Sequence, residues 1–387
     1  MKQFSREVTT VDRAYFENEI QFVLKKLEQS LSVFNQDQFP AATSKGLVYP
    51  AVSNTDWTSG FWTGILWLAY ECTQDEKYRE IAESGLPSFQ RRIDERIATN
   101  THDLGFLYSL SAIAAYRLTG NEQARAIAVK AAELLAERFV PKAGIIQAWG
   151  DLNDPKECGR MIMDCLMNLP LLYWASEVSG NSSYAKMAVS HAKQSASYLV
   201  RQDHTSYHTY YMDVVTGEPK YGNTHQGYAD DSCWARGQAW GIYGFMLSYL
   251  YTRDPSFIET SKALTEYFLS RLPEDGVVYW DLVFTDGEEQ EKDSSAAAIA
   301  VCGMLELARH LPLLDSDKPR YEKAALAILE SLSQSYTTKD HLYSNGILKH
   351  AVYNKPRGWG IDECNIWGDY FYFEALVRIL KDWRPYW

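Results

Sequence analysis

Apolar residues recur at three- and four-residue spacing through most of the chain, with little of the two-residue alternation that marks half-buried strands. That spacing predicts helices over Tyr15–Ser32, Gly60–Cys72, Lys77–Ile97, Gly105–Leu118, Glu122–Phe139, Leu166–Val178, Ser183–Val200, Ala235–Tyr251, Ser256–Arg271, Ser294–Arg309, Lys318–Tyr336 and Trp367–Trp383, about twelve in all. Short strands are expected in two loops, Ser206–Asp213 and Val277–Val283. Every second helix is rich in apolar and small residues, as in Ser295-Ala296-Ala297-Ala298-Ile299-Ala300-Val301-Cys302-Gly303-Met304. Their partners, such as Glu122–Phe139 and Lys318–Tyr336, carry charge along one face. A lone hairpin cannot bury its apolar face, so the alternation predicts an all-α, six-hairpin α/α toroid with an inner and an outer ring. The whole chain, residues 1–387, is read as that one domain.

An acidic residue stands at or just before each inner helix: Asp56, Asp103, Asp164, Asp231, Asp293 and Asp362. Parallel inner helices would gather all of them at one mouth. Asp is a preferred N-cap worth about 1 kcal/mol, and capping is expected to account for most. Asp164 is unusual because the stretch from Gly159 to Pro170 surrounds it with three methionines and two leucines. An unpaired ionised carboxylate is costly there, so it finds a partner or keeps its proton, and a carboxyl protonated near neutral pH is a general acid. Pro170 suits a first helical turn and supports a cap instead. Asp103 follows His102 and precedes the neighbouring inner helix, so the two acids can face one another. The expected separation is below about 12 Å, within reach of coupling through screening.

Composition narrows the chemistry. The 12 Trp and 26 Tyr suit stacking on sugar rings as well as packing. The net charge of −12 carries no Lys/Arg stripe, which excludes nucleic acid and tracking along a long polyanion but allows a short anionic ligand. Met1–Glu7 has no apolar leader, and the run from Phe61 to Tyr70 is too short and interrupted to span a bilayer. A soluble cytoplasmic protein without a membrane partner is expected. The six cysteines lack CxxC spacing, so neither zinc nor a disulfide framework is indicated.

Loops at the acidic mouth add carbohydrate-type groups. Trp57 and Trp149 offer faces for a pyranose, although an isolated tryptophan is more often a packing residue. Tyr207–Tyr211 contributes His208, Gly222–Gly227 contributes His225 and Gln226, and Trp234–Trp240 places Arg236 within an apolar inner helix. A buried arginine needs a partner, either an acidic group of the ligand or a structural bridge to Asp230 or Asp231.

Four segments, Thr101–Phe106, Met163–Pro170, Trp234–Trp240 and Asp362–Phe371, resemble in sequence and order the unsaturated glucuronyl hydrolases, glycoside hydrolase family 88. The resemblance covers nearly the whole chain. It implies a six-hairpin toroid and a substrate left behind by polysaccharide lyases, with a 4,5-unsaturated uronic acid at its non-reducing end. It further implies Asp164 as general acid/base, Asp103 as a second essential carboxylate, and Trp57, His102, Trp149, His208, Gln226, Arg236, Trp240 and Tyr353 as substrate contacts. No metal and no cofactor is implied. Members that prefer sulfated substrates carry a Ser-x-x-Ser-x-Lys strip before the last helix; His350–Lys355 is read as its counterpart here, so unsulfated disaccharides are expected. Three alternatives stand beside this reading: an unsaturated rhamnogalacturonyl hydrolase, a polysaccharide lyase on a similar toroid using His208 and a tyrosine, and a non-catalytic sugar binder. The lyase would want a long basic groove, and the binder has no need of two carboxylates at one mouth. Nothing in the sequence specifies an oligomeric state.

Overall fold

In the computed structural model, which describes residues 12–34 and 37–387, helices alternate between an outer and an inner layer. The Met1–Glu7 stretch, on which the absence of a leader was read, lies outside the described residues. Outer α1 (Arg13–Ser30) leads to inner α2 (Ser59–Thr73), then to the outer pair α3 (Glu76–Ser84) and α4 (Leu86–Asp94). Inner α5 (Leu104–Tyr108) and α6 (Ala114–Thr119) follow, then outer α7 (Glu122–Ala136), inner α8 (Leu169–Ser179), outer α9 (Ser182–Tyr198) and inner α10 (Ala235–Thr252). Outer α11 (Pro255–Ser270), inner α12 (Ser294–His310), outer α13 (Asp317–Ser335) and inner α14 (Ile366–Leu380) complete the order. The last helix packs on α1 and α2, which closes the expected α/α toroid. Inner helices are covered on all sides: in α10 every residue from Ala235 to Ser248 is buried, whereas α7 buries one apolar stripe, Ala124, Ile127, Ala128, Ala131, Ala132, Leu134 and Leu135.

A short sequence signature makes the turns at one mouth tight. Inner helices α2, α6, α8 and α10 end on Gln74, Gly120, Gly180 and Arg253, each left-handed, and the next residue, Asp75, Asn121, Asn181 or Asp254, caps the following outer helix. The hydroxyls of Thr73, Ser179 and Thr252 accept the N–H of the cap residue at 3.2 Å. At the other mouth the connections are long. Among the described residues they hold all the strands: the pairs β1 (Phe39–Pro40) with β2 (Ala51–Val52) and β3 (Phe139–Val140) with β4 (Ile145–Ile146), the antiparallel sheet of β5 (Arg160–Ile162), β6 (Thr209–Met212) and β7 (Pro219–Asn223), and the hairpin of β8 (Ala351–Asn354) and β9 (Trp359–Glu363). Long loops on a rigid ring are where binding residues accumulate.

Several expectations are corrected. The helix read over Lys77–Ile97 is two, divided at Gly85, because Pro87 fits only a first helical turn. Gly105–Leu118 contains a π-helical turn, Ser109–Ile113, between α5 and α6. Val277–Val283 forms only isolated bridges, with Asp281 opposite Trp234 and Tyr279 opposite Lys292. Of the six acids, Asp293 alone is a side-chain cap of an inner helix, accepting from the N–H groups of Ser295 and Ala296. Asp56, Asp164, Asp231 and Asp362 lie upstream of the cap position, which falls to Thr58, Asn168, Trp234 and Asn365. Asp103 occupies a cap position without capping. Among the described residues no helix is long and apolar enough to cross a membrane.

Candidate active site

Asp164 is carried on a 3-10 turn, Met163–Met167, that follows β5 directly. The Met163 N–H donates to the His208 carbonyl at 3.1 Å, pinning this turn to the start of β6. Asp103 ends the loop before α5, where the Thr101 hydroxyl donates to its Oδ2 at 2.5 Å. Between the two acids lies the buried ring of His102, with Nε2 at 2.8 Å from Asp164 Oδ1 and 3.2 Å from Asp103 Oδ1. Donor atoms of all three side chains fall within 4.8 Å of one another, far inside the expected separation. Among the described residues they are also the one group of histidine, cysteine and acidic side chains close enough to hold a metal ion.

Burial pushes the Asp103 carboxyl above the ordinary aspartate range, and the charges of Asp164 and Asp56 add to it while His102 opposes. Burial works against a charged His102, but the two carboxylates and the bond to Asp164 outweigh it, so the imidazole is raised. In this setting Asp103 holds its proton to higher pH than a free aspartate. His102→Asn removes the larger of the two influences that lower Asp103, the other being the Thr101 hydroxyl, so the acidic limb of kcat/KM, where Asp103 becomes protonated, moves to higher pH. A pH–rate profile checks this, and an unmoved limb would break the coupling.

Trp57, His102, Asp103, Trp149, Asp164, Gln226, Arg236, Trp240 and Tyr353 line one cavity of about 240 Å³. The Trp57 indole N–H donates to the Tyr353 hydroxyl at 2.9 Å, and burial holds the Tyr353 phenol up to about 12, hence neutral. Trp149 lies under the Arg160 guanidinium at 4.0 Å. Trp240 comes from α10 and packs edgewise on Phe371. His208 is the one expected contact outside the lining. Its Nδ1 accepts the backbone N–H groups of His225 at 2.9 Å and Gln226 at 3.2 Å, which fixes the proton on Nε2; burial keeps the ring neutral. Nε2 has no hydrogen-bond partner among the described residues.

Arg236 pairs with neither Asp230 nor Asp231. Its Nη1 donates to the Val352 carbonyl at 2.6 Å and stands 3.7 Å from Asp293 Oδ2, while Nη2 donates to Gln226 Oε1 at 2.6 Å and to the Tyr353 carbonyl at 2.7 Å. Trp234 and Trp367 lie 4.6 and 4.8 Å from the guanidinium. The two carbonyls come from β8, more than a hundred residues downstream, Gln226 from the loop after β7 and Asp293 from the cap of α12, so helical spacing could not reveal them. The fork therefore braces the walls of the cavity.

The sequence reading missed Arg357 and Trp359 at the rim, where the guanidinium lies 5.0 Å from the ring and Trp359 is 49% exposed. A Pro-Arg-Gly-Trp turn in the same hairpin as Tyr353 was the available signal. The strip compared with the sulfate-preferring members touches the cavity only in part. His350 bonds to Asp362 and Lys355 pairs with Glu291, so of His350–Lys355 only Tyr353 and Asn354 reach the cavity.

The model of Glycosyl Hydrolase Family 88 matches residues 35–376. The chain is 48% identical over 365 residues to an unsaturated chondroitin disaccharide hydrolase of Streptococcus pneumoniae, covering 94% of this chain and 92% of that protein. It is 46% identical over 351 residues to an unsaturated glucuronyl hydrolase of Bacillus sp. GL1, covering 91% and 93%. The crystal structure of unsaturated glucuronyl hydrolase from Streptococcus agalactiae superposes with a TM-score of 0.91 at 45% identity, covering 100% of both chains. A mutant of that enzyme complexed with dGlcA-GalNAc6S gives 0.88 at 44% identity over 98% of this chain and 95% of that one. A toroid with paired carboxylates at its mouth, and likeness in sequence and in shape over almost the full length, converge on one assignment: this chain belongs to glycoside hydrolase family 88.

Proposed function

We propose that this chain, acting as one catalytic domain, releases the 4,5-unsaturated uronic acid from the non-reducing end of lyase-generated glycosaminoglycan-type oligosaccharides. The observation that carries the reading is the His102–Asp103–Asp164 cluster in a tryptophan-walled cavity. The chondroitin disaccharide named for the Streptococcus pneumoniae relative supports the substrate class, as does the dGlcA-GalNAc6S held by the Streptococcus agalactiae mutant. About 240 Å³ is near the ~300 Å³ lower end for small-molecule pockets, so one uronate ring fills it and the next sugar meets Arg357 and Trp359 at the rim. The six free thiols, four of them buried, suit the reducing cytoplasm as the setting.

The chemistry is hydration of a vinyl ether. With Oδ1 of Asp164 held by His102, its other oxygen delivers a proton to C4, and positive charge develops at C5 and the ring oxygen. Asp103 as an anion stabilises that charge. Asp164, now deprotonated, takes a proton from water as the hydroxyl adds to C5; the hemiketal then opens and expels the neighbouring sugar. An inverting displacement needs carboxyls ~6.5–9.5 Å apart to admit a water between them, and this pair lies within 4.8 Å.

The test follows the ultraviolet absorbance of the conjugated uronate, with the product made in D₂O and read early by NMR. Loss of absorbance and one deuterium at C4, on one face, with activity unchanged by a chelator, are expected. A gain of absorbance would mean a lyase, and no change a binder. A product with its double bond intact would sink hydration. Chondroitin, hyaluronan, heparin and pectin fragments run side by side separate this reading from a rhamnogalacturonyl hydrolase.

A further inference from the structure

A helix leaves its first N–H groups without intrahelical partners, and the cap side chain ordinarily accepts one from the second or third helical residue. For α5 the cap residue is Asp103 and the third residue is Phe106, yet Asp103 makes no capping bond. Its carboxylate is turned to the Thr101 hydroxyl and to His102. The Phe106 N–H donates instead to Oδ1 of Asn168, 62 residues away, at 2.7 Å. Asn168 is fully buried, and the other end of the same amide, Nδ2, donates to the carbonyl of Asp164 at 3.2 Å. The backbone makes room for this contact: a Cβ on Gly105 would lie 2.3 Å from Asn168 Cα and 2.7 Å from its carbonyl oxygen.

We propose that Asn168 is a positioning residue for the reaction, capping the Asp103 helix from outside so that Asp103 is free to face the cavity, and tying that helix to the turn that carries Asp164. Asp is among the best cap residues, so without Asn168 the Phe106 N–H falls to the residue in its own cap position, Asp103. Turning to that N–H takes the carboxylate away from His102 and Asp164. A misplacement of about 1 Å in a reacting constellation costs on the order of 10²-fold in rate. An asparagine suits the task because one planar group offers an acceptor to α5 and a donor to the Asp164 turn.

This inference rests on the hydrolase reading, and the wild type assayed in parallel separates the two: an inactive wild type would condemn that reading alone. The variants are Asn168→Ala and Asn168→Asp, each measured per folded molecule at its own pH optimum and crystallised. Asn168→Ala is expected to lose about thirtyfold or more in kcat with KM within about threefold, and to show an Asp103 oxygen within about 3 Å of the Phe106 nitrogen. Asn168→Asp keeps the acceptor for Phe106 and loses only the bond from Nδ2 to the Asp164 carbonyl, so its loss in kcat should stay within about tenfold. An alanine variant with Asp103 still facing His102 and kcat within about threefold would overturn the proposal. So would equal losses in the two variants. Should the alanine variant not fold, the aspartate variant decides: retention within about tenfold supports the role, and a thirtyfold loss removes it.

Discussion

Asp164→Asn is expected to lower kcat on the unsaturated disaccharide by about 10³-fold or more, with binding retained. The amide preserves shape, and its oxygen can still accept from His102 Nε2, but it has no proton to give to C4. One carboxylate of a closely spaced pair disappears, so repulsion with Asp103 is relieved and the melting temperature should hold or rise. That separates lost chemistry from lost folding. Stopped-flow turnover, equilibrium binding of the disaccharide and thermal melting on one preparation decide the matter. Near wild-type turnover would remove Asp164 from its role.

Asp103→Asn should cost about 10²-fold, chiefly in kcat, since the carboxylate is asked to stabilise charge that exists only near the transition state. The pH profile carries the sign. Burial and the charge of Asp164 raise the Asp103 carboxyl, so acidification protonates it at higher pH than a free aspartate, and activity that needs the anion falls there. An asparagine cannot titrate, so that limb of kcat should flatten in the variant. His102 would lose one of the two carboxylates that raise it, and its own titration should move down. A variant within about threefold of wild type, with its acidic limb unchanged, would end the division of labour between the two acids.

Most of the architecture was legible because helix formation and the two-layer alternation are local properties, written in spacing and in the contrast between Ser294–Arg309 and Lys318–Tyr336. The repeated turns were equally legible and went unread: Thr73-Gln74-Asp75, Thr119-Gly120-Asn121, Ser179-Gly180-Asn181 and Thr252-Arg253-Asp254 share one pattern of hydroxyl, left-handed residue and cap. Site residues other than Arg357 and Trp359 were named in part through resemblance, since a single Trp57 or His208 carries no local mark of its role.

What the sequence determined by itself was the ring of hairpins and the gathering of acids toward one mouth, because periodicity and chain order suffice for both. Which acids cap and which face the cavity was decided only by tertiary contact. Asp103 and Asp293 are indistinguishable as cap candidates in sequence, yet Asp293 caps its own helix while Asn168 relieves Asp103 of that duty. The partners of Arg236 were settled in the same way, by carbonyls more than a hundred residues downstream. A hydrogen bond is satisfied by whatever acceptor the fold brings within about 3 Å, and chain neighbours hold no privilege once the ring has closed.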